Sequence, residues 1–249
     1  MSRPGRHFVV TGSGRSGTGF IATVLADAGL RCGHEAVFHP RTTAFTGFGD
    51  VDGDISWLAA PFVGGLPAGT VVLHQLRDPV EVVSSWIGLR FLDRRGPYSF
   101  RRPTGPPRLV YHDLKTRFER ARGQHSFVAR DFERFVGRHE PAVLDGATTT
   151  DRCIRYWVRW NERVEAEADG APVHYLRYRV EDLVDRWPEI ADLLGLDATL
   201  PAAARQPGVN SRPRHDQAGL DDLARSSDFP AFVALAERYG YDVGASAAS

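Results

Sequence analysis

Near its start the chain runs an apolar stretch, Phe8-Val9-Val10, into Thr11-Gly12-Ser13-Gly14-Arg15-Ser16-Gly17-Thr18-Gly19. Phe20 then begins a helical pattern that Gly29 closes. A buried strand, a glycine-rich turn and a helix in direct succession present several backbone N–H groups and a helix N-terminus to an anion. Glycine lets the backbone approach a phosphate closely, and Ser16 and Thr18 add hydroxyl donors. Arg15 supplies a fixed charge whose planar fork grips phosphate oxygens in pairs. The stretch reads as a phosphate cradle.

Its spacing distinguishes between kinds of cradle. Gly12 to Gly17 fits the spacing of a Walker-type nucleotide loop, but Thr18 stands where that loop needs lysine, and Lys115 is the chain's single lysine. Gly12, Gly14 and Gly17 also match the dinucleotide pattern G-x-G-x-x-G, a weak signal on its own. Gly14-Arg15-Ser16-Gly17-Thr18 resembles the 5′-phosphosulfate loop of sulfotransferases that use 3′-phosphoadenylyl sulfate (PAPS). In that loop a basic residue precedes Ser-Gly-Thr, a small or hydroxyl residue and an aromatic. Arg15, Ser16-Gly17-Thr18, Gly19 and Phe20 fill those places; Gly19 departs from the commoner second Thr or Ser.

A second stretch, His74-Gln75-Leu76-Arg77-Asp78-Pro79, reads as a strand end followed by a helix start. Asp78 suits an N-cap and Pro79 the first helical position. Neither role explains an arginine at a strand's carboxyl end, where α/β sheets bind ligands. Arg77, with Ser85 eight residues later, resembles the 3′-phosphate-binding motif of the same sulfotransferases, and Arg-Asp-Pro is the form common in bacterial members. Softer likenesses follow. Tyr156 to Asn161 resembles the family's Trp/Asn-bearing helix, and Leu176 to Leu183 its late strand, whose tyrosine (here Tyr178) approaches the nucleotide. Val209 to His215, with Arg212, stands in the place of a loop that closes over the cofactor. The resemblance covers most of residues 6 to 215. It implies an α/β three-layer sandwich with a central, mostly parallel sheet and P-loop nucleotide-hydrolase-like topology.

The remaining chain agrees with an α/β reading, because apolar runs alternate with helical periodicities. Strands are expected near 8–10, 30–40, 70–76 and 172–178. Helices are expected over 20–28, 80–89, 113–136, 149–167 and 180–193, with short helices beyond Pro201. Residues 36–69 and 91–108, rich in Gly, Pro and Thr or Arg, are expected as irregular loops or lids on one domain spanning 1–249, with a turn of helix near Trp57. Basic and acidic residues balance at 31 each, which gives no electrostatic case for a nucleic-acid or membrane partner. Two cysteines, Cys32 and Cys153, form no disulfide framework or metal pattern. No signal segment and no apolar stretch of membrane-span length is apparent, so a cytoplasmic protein without stable membrane insertion is expected.

The resemblance further implies sulfuryl transfer from PAPS, as co-substrate and without a metal, to a hydroxyl or amine of a small-molecule, glycan or secondary-metabolite acceptor. Arg15 would stabilise the charge on the bridging oxygen. The general base is Glu35 or His34, on the segment after the first helix. Gly14, Arg15, Ser16, Gly17, Thr18 and Gly19 would hold the 5′ side, and Arg77, Ser85, Tyr178 and Arg212 the rest of the nucleotide. Phe20 either stacks on adenine or packs under the sheet. His74, inside a strand, reads as a satisfied buried histidine. Two other readings stand beside this one. A short-chain dehydrogenase would use Tyr111 and Lys115 with the glycines at 12, 17 and 19, and a non-catalytic nucleotide-binding protein would keep the loops alone.

Overall fold

The computed structural model describes residues 6–89, 92, 129–205 and 218–243. The expected lid at 91–108, apart from residue 92, lies outside them, as do Tyr111, Lys115, Arg212 and most of the helix expected over 113–136. Chain contacts divide the molecule into two units: residues 1–82 with 160–215, and residues 83–159 with 216–249.

The first unit is built on one parallel sheet. Its strands are β1 (Phe8–Thr11), β2 (Cys32–His34), β3 (Gly53–Ile55), β4 (Val71–Leu76) and β5 (His174–Arg179), in the order β2-β3-β1-β4-β5. All four pairings are parallel; β1 aligns Phe8 with Gly53 on one side and with Val71 on the other. Parallel strands covered on both faces read as continuous apolar runs, and β1 and β4 are buried throughout.

Alternation along the strands assigns side chains to two layers. Phe8, Val10, Val71, Leu73, Leu176 and Tyr178 form one buried cluster with helices α1 (Thr18–Asp27) and α6 (Leu183–Leu194). Helix α1 contributes Ile21, Val24 and Leu25 to it. Helix α6 contributes Leu183, Trp187, Ile190, Ala191 and Leu194, the spacing of one helical face. On the opposite face His74 and Arg177 meet the segment 160–168 of helix α5 (Thr149–Ala168). There His74 bonds Asn161, and Arg177 pairs with Glu165. The unit is therefore an α/β fold of helix, sheet and helix layers.

The stretch 36–69 departs from the expected loop at a strand, while the turn of helix expected near Trp57 is present. It holds β3 and a 3-10 helix, Trp57–Gly65, with Trp57, Leu58, Ala59, Ala60, Phe62 and Val63 buried. The strand escapes a reading by propensity because it is the three residues Gly53-Asp54-Ile55, two of them poor strand formers. It forms because Gly53 lets the Phe8 ring lie against it, since a Cβ there would fall 2.5 Å from that ring. The sheet order also removes the dehydrogenase reading. A dinucleotide fold places β2 beside β1, whereas β3 and β4 flank β1 in this chain.

The second unit is helical among its described residues, with α3 (Ala129–His139), α4 (Pro141–Leu144), α7 (Leu220–Ala224), α8 (Phe229–Arg238) and the first part of α5. Trp157 meets Phe232 edge-on at 5.2 Å, and Trp86 lies 4.5 Å from Tyr156. Arg152, 3% exposed, donates to the carbonyl oxygens of Leu92 and Gly146.

Candidate functional site

In the order β2-β3-β1-β4-β5 the chain leaves β1 toward one edge and β4 toward the other. Such a reversal opens a crevice outside the carboxyl ends of the two strands. The glycine turn leaves β1 at that point, and Arg77 leaves β4 beside it.

The turn is held from below by uncharged side chains. Gly12 has φ +147°, and a Cβ there would overlap the Gln75 carbonyl oxygen, so this position demands glycine. Ser13 N–H donates to Asn161 Oδ1 at 3.2 Å, and the Ser13 and Ser16 hydroxyls lie 2.9 Å apart. Gln75 Nε2 donates to the Ser16 carbonyl at 2.5 Å, and Tyr178 O–H donates to Gln75 Oε1 at 2.5 Å. Because Asn161 Oδ1 accepts from Ser13, it must also accept from His74 Nε2 at 3.0 Å. His74 Nδ1 then accepts from Tyr175 O–H at 2.7 Å. Burial pushes the His74 imidazole down to about 4, so it stays neutral in this chain of bonds. His74 is thus the satisfied buried histidine expected of it.

Above these supports the turn opens into α1. Gly17, the N-cap, adopts a left-handed conformation (φ +92°), no side chain caps the helix and no acidic residue stands in its first turn. The first N–H groups of a helix have no i−4 partner within it and carry its positive dipole end. Arg77 donates through Nη1 to the Arg15 carbonyl at 3.5 Å and through Nη2 to Glu81 at 2.5 Å. Asp78 caps the next helix, α2 (Pro79–Leu89), by accepting from Glu81 N–H at 2.9 Å.

β2 brings the candidate bases to the same edge. His34 Nε2 lies 3.4 Å from Thr18 Oγ1, at the first turn of α1. Glu35 follows, its N–H donating to the Ile55 carbonyl at 3.1 Å. Burial raises the Glu35 carboxyl, His34 opposes that rise, Asp54 adds to it, and a hydrogen bond from Trp57 opposes it. Among the described residues, Arg15 (φ +74°) and Glu35 (φ +55°) are the non-glycine residues with left-handed backbone. Strained backbone of this kind concentrates at functional sites.

The structure thus gathers Arg15, Ser16, Gly17, Thr18, His34 and Arg77 around one sheet edge, with Gly14 in the turn itself and Gly19 in the first turn of α1. Tyr178 lies in the supporting layer, 3% exposed with its hydroxyl committed to Gln75. Phe20 packs, half-buried, against the core under α1. Ser85 belongs to α2 in the second unit, and Arg212 lies outside the described residues. Three contributors were not legible as site residues in the sequence: Gln75, Asn161 as an anchor, and Asp54. Gln75 carried a usable signal, since a polar residue within an apolar buried strand needs a partner; Asp54 carried none. Among the described residues no group of three or more His, Cys, Asp or Glu could hold a metal ion. No helix among them is long and apolar enough to cross a membrane.

No protein-family model matches the chain, and no curated protein matches it. Among solved structures it is similar to the sulfotransferase domain from the curacin biosynthetic pathway, at 12% sequence identity and a TM-score of 0.43, over 97% of this chain and 99% of that one.

Proposed function

We propose that this protein is a PAPS-dependent sulfotransferase, moving a sulfuryl group onto a hydroxyl or amine and releasing adenosine 3′,5′-bisphosphate. The observation that carries the reading is the pairing of an uncapped, glycine-turned N-terminus of α1 with Arg77 at the carboxyl end of the neighbouring strand. One element suits a 5′ phosphosulfate and the other a 3′-phosphate. The residues fit such a ligand: the first turn of α1 carries no acidic residue and no side-chain cap, and the backbone at Arg15 and Gly17 is left-handed.

PAPS supplies the activated sulfuryl group. The sulfur–oxygen bond to its phosphate breaks as a bond from sulfur to the acceptor oxygen or nitrogen forms, and the acceptor proton passes to Glu35 or His34. Arg15 and the loop N–H groups stabilise charge on the bridging oxygen, a contribution of about 3 kcal/mol per donor. Arg77 and Ser85 orient the 3′-phosphate, with Arg212 as a further partner, while Tyr178 supports the turn through Gln75 and Phe20 packs under α1. A raised carboxyl at Glu35 suits proton acceptance near neutral pH. The acceptor is a small molecule, a glycan or a secondary metabolite.

Calorimetric titration with adenosine 3′,5′-bisphosphate, beside NADH, NADP and ATP, tests the reading. The bisphosphate should bind and the others should not, and Arg77→Ala should weaken it on the order of 100-fold, the worth of a charge-assisted phosphate contact. Binding of a nicotinamide nucleotide instead would overturn it.

A further inference from the structure

Asp54 has a role that the turn sequence of 35–38 gives no hint of. It lies on β3, fully buried. Its carboxylate accepts three backbone N–H groups from one short segment: Ala36 at 3.1 Å, Val37 at 3.2 Å and Phe38 at 3.1 Å. Ser56, two residues on and so on the same face of the strand, donates its hydroxyl to the Phe38 carbonyl at 3.2 Å. The Ile55 carbonyl takes the N–H of Glu35. Every one of these bonds runs from β3 or its continuation to the turn that follows β2.

We infer that Asp54 is the positioning residue for Glu35, holding the turn 35–38 so that Glu35 keeps its left-handed backbone at the sheet's carboxyl edge. Three successive N–H groups converging on one carboxylate form a concave anion nest, here filled by the protein's own side chain. Such a nest forces the preceding residue to reverse direction, and Glu35 is where the reversal falls. Gly33, paired with Asp54 across the strands, makes the room: a Cβ there would stand 2.5 Å from Asp54 Oδ1 and 3.0 Å from the Ala36 Cβ. A buried, strained arrangement like this is not what a solvent-facing loop needs. It is what a side chain needs when its direction matters. The inference rests on the sulfuryl-transfer reading only for the use made of Glu35, as base.

The groups facing Glu35 are His34 on its own segment, Asp54 on β3 and Trp57 on the 3-10 helix. Asp54 acts on Glu35 in two ways, by geometry and by charge. Asp54→Asn removes the charge and also sets an NH2 donor against at least one of the three N–H groups, so it should loosen the turn and let the Glu35 carboxyl ionise more readily.

The test uses the full chain carrying 13C-labelled glutamate, with Glu35→Gln identifying the Glu35 carboxyl resonance. In Asp54→Asn the Glu35 titration should move to lower pH, its acid dissociation constant rising about threefold or more. Affinity for adenosine 3′,5′-bisphosphate should stay within about twofold, because the phosphate loop has other supports. A merely structural Asp54 would leave a folded variant with an unmoved Glu35 titration, and that result would overturn the inference. Amide exchange in the unaltered chain supplies a second readout that does not depend on any variant folding. Ala36, Val37 and Phe38 should exchange on the order of 100-fold more slowly than open-loop amides. Exchange at open-loop rates would equally overturn it. Neither readout needs a nucleotide, so loss of bisphosphate binding with both intact would remove the sulfuryl-transfer reading and leave Asp54 in its role.

Discussion

Two turns at the carboxyl edge of one sheet, 12–18 and 35–38, both contain a non-glycine residue in left-handed backbone, and they are held by opposite chemistry. The turn after β1 rests on neutral groups: Asn161, Gln75 with Tyr178 behind it, and an imidazole kept uncharged by burial. The turn after β2 rests on a buried carboxylate. On the proposed reading, the first turn gains from neutral supports, since a fixed negative charge beneath it would repel a phosphate. A turn that presents a base gains from a neighbouring carboxylate, which raises the base's affinity for a proton.

The sharpest way to break the first turn is to add one methyl group. Gly12→Ala combines a strained φ with overlap on a backbone carbonyl that cannot move aside, and should destabilise the chain by about 4 kcal/mol or more in urea unfolding. A loss of less than about 1 kcal/mol would mean that the β1 and β4 backbones are not in this close contact.

Acid should separate the two turns next. Between pH 6.5 and about 4 the unfolded chain takes up a proton at His74 that the folded chain refuses, so stability falls as pH falls through that window. The loss should reach roughly 3 kcal/mol, and His74→Gln should remove that part of the slope. Asp54 and Glu35 act in the contrary sense. Burial raises both carboxyls, so the folded chain binds their protons more tightly than the unfolded one and acid relieves them. Urea midpoints measured from pH 8 to 4 in both proteins check the difference.

The smallest effect expected is that of Tyr178→Phe. It removes one hydroxyl from Gln75 and should cost about 1 kcal/mol of stability, with weaker bisphosphate binding only through a looser turn. A loss of binding far larger than the loss of stability would place Tyr178 at the ligand rather than beneath the turn.

The same contrast explains what the sequence made legible. The turn 12–18 is written in adjacent residues, because glycines, hydroxyls and an arginine must stand at fixed spacing to surround an anion. Arg77 could be nominated because a charged residue stands just past the carboxyl end of a buried strand, beside the turn. The turn 35–38 depends on a partner 16 to 18 positions away, on a strand too short and too polar to announce itself. His34 and Glu35 could be nominated by place but not by their support. Asn161 was visible only as part of a helix, since its tie to Ser13 spans 148 positions and leaves no local pattern.

The dependence of the early turn on distant residues also bears on how the protein is made. Its sequence motif leaves the ribosome first, but Gln75, Asn161 and Tyr178 follow in that order, and β5 pairs with β4 only at the end of the series. Parallel pairings of such separation close slowly. A nascent chain arrested before Asn161 therefore carries the whole glycine motif without two of the side chains that brace its turn, Asn161 and Tyr178.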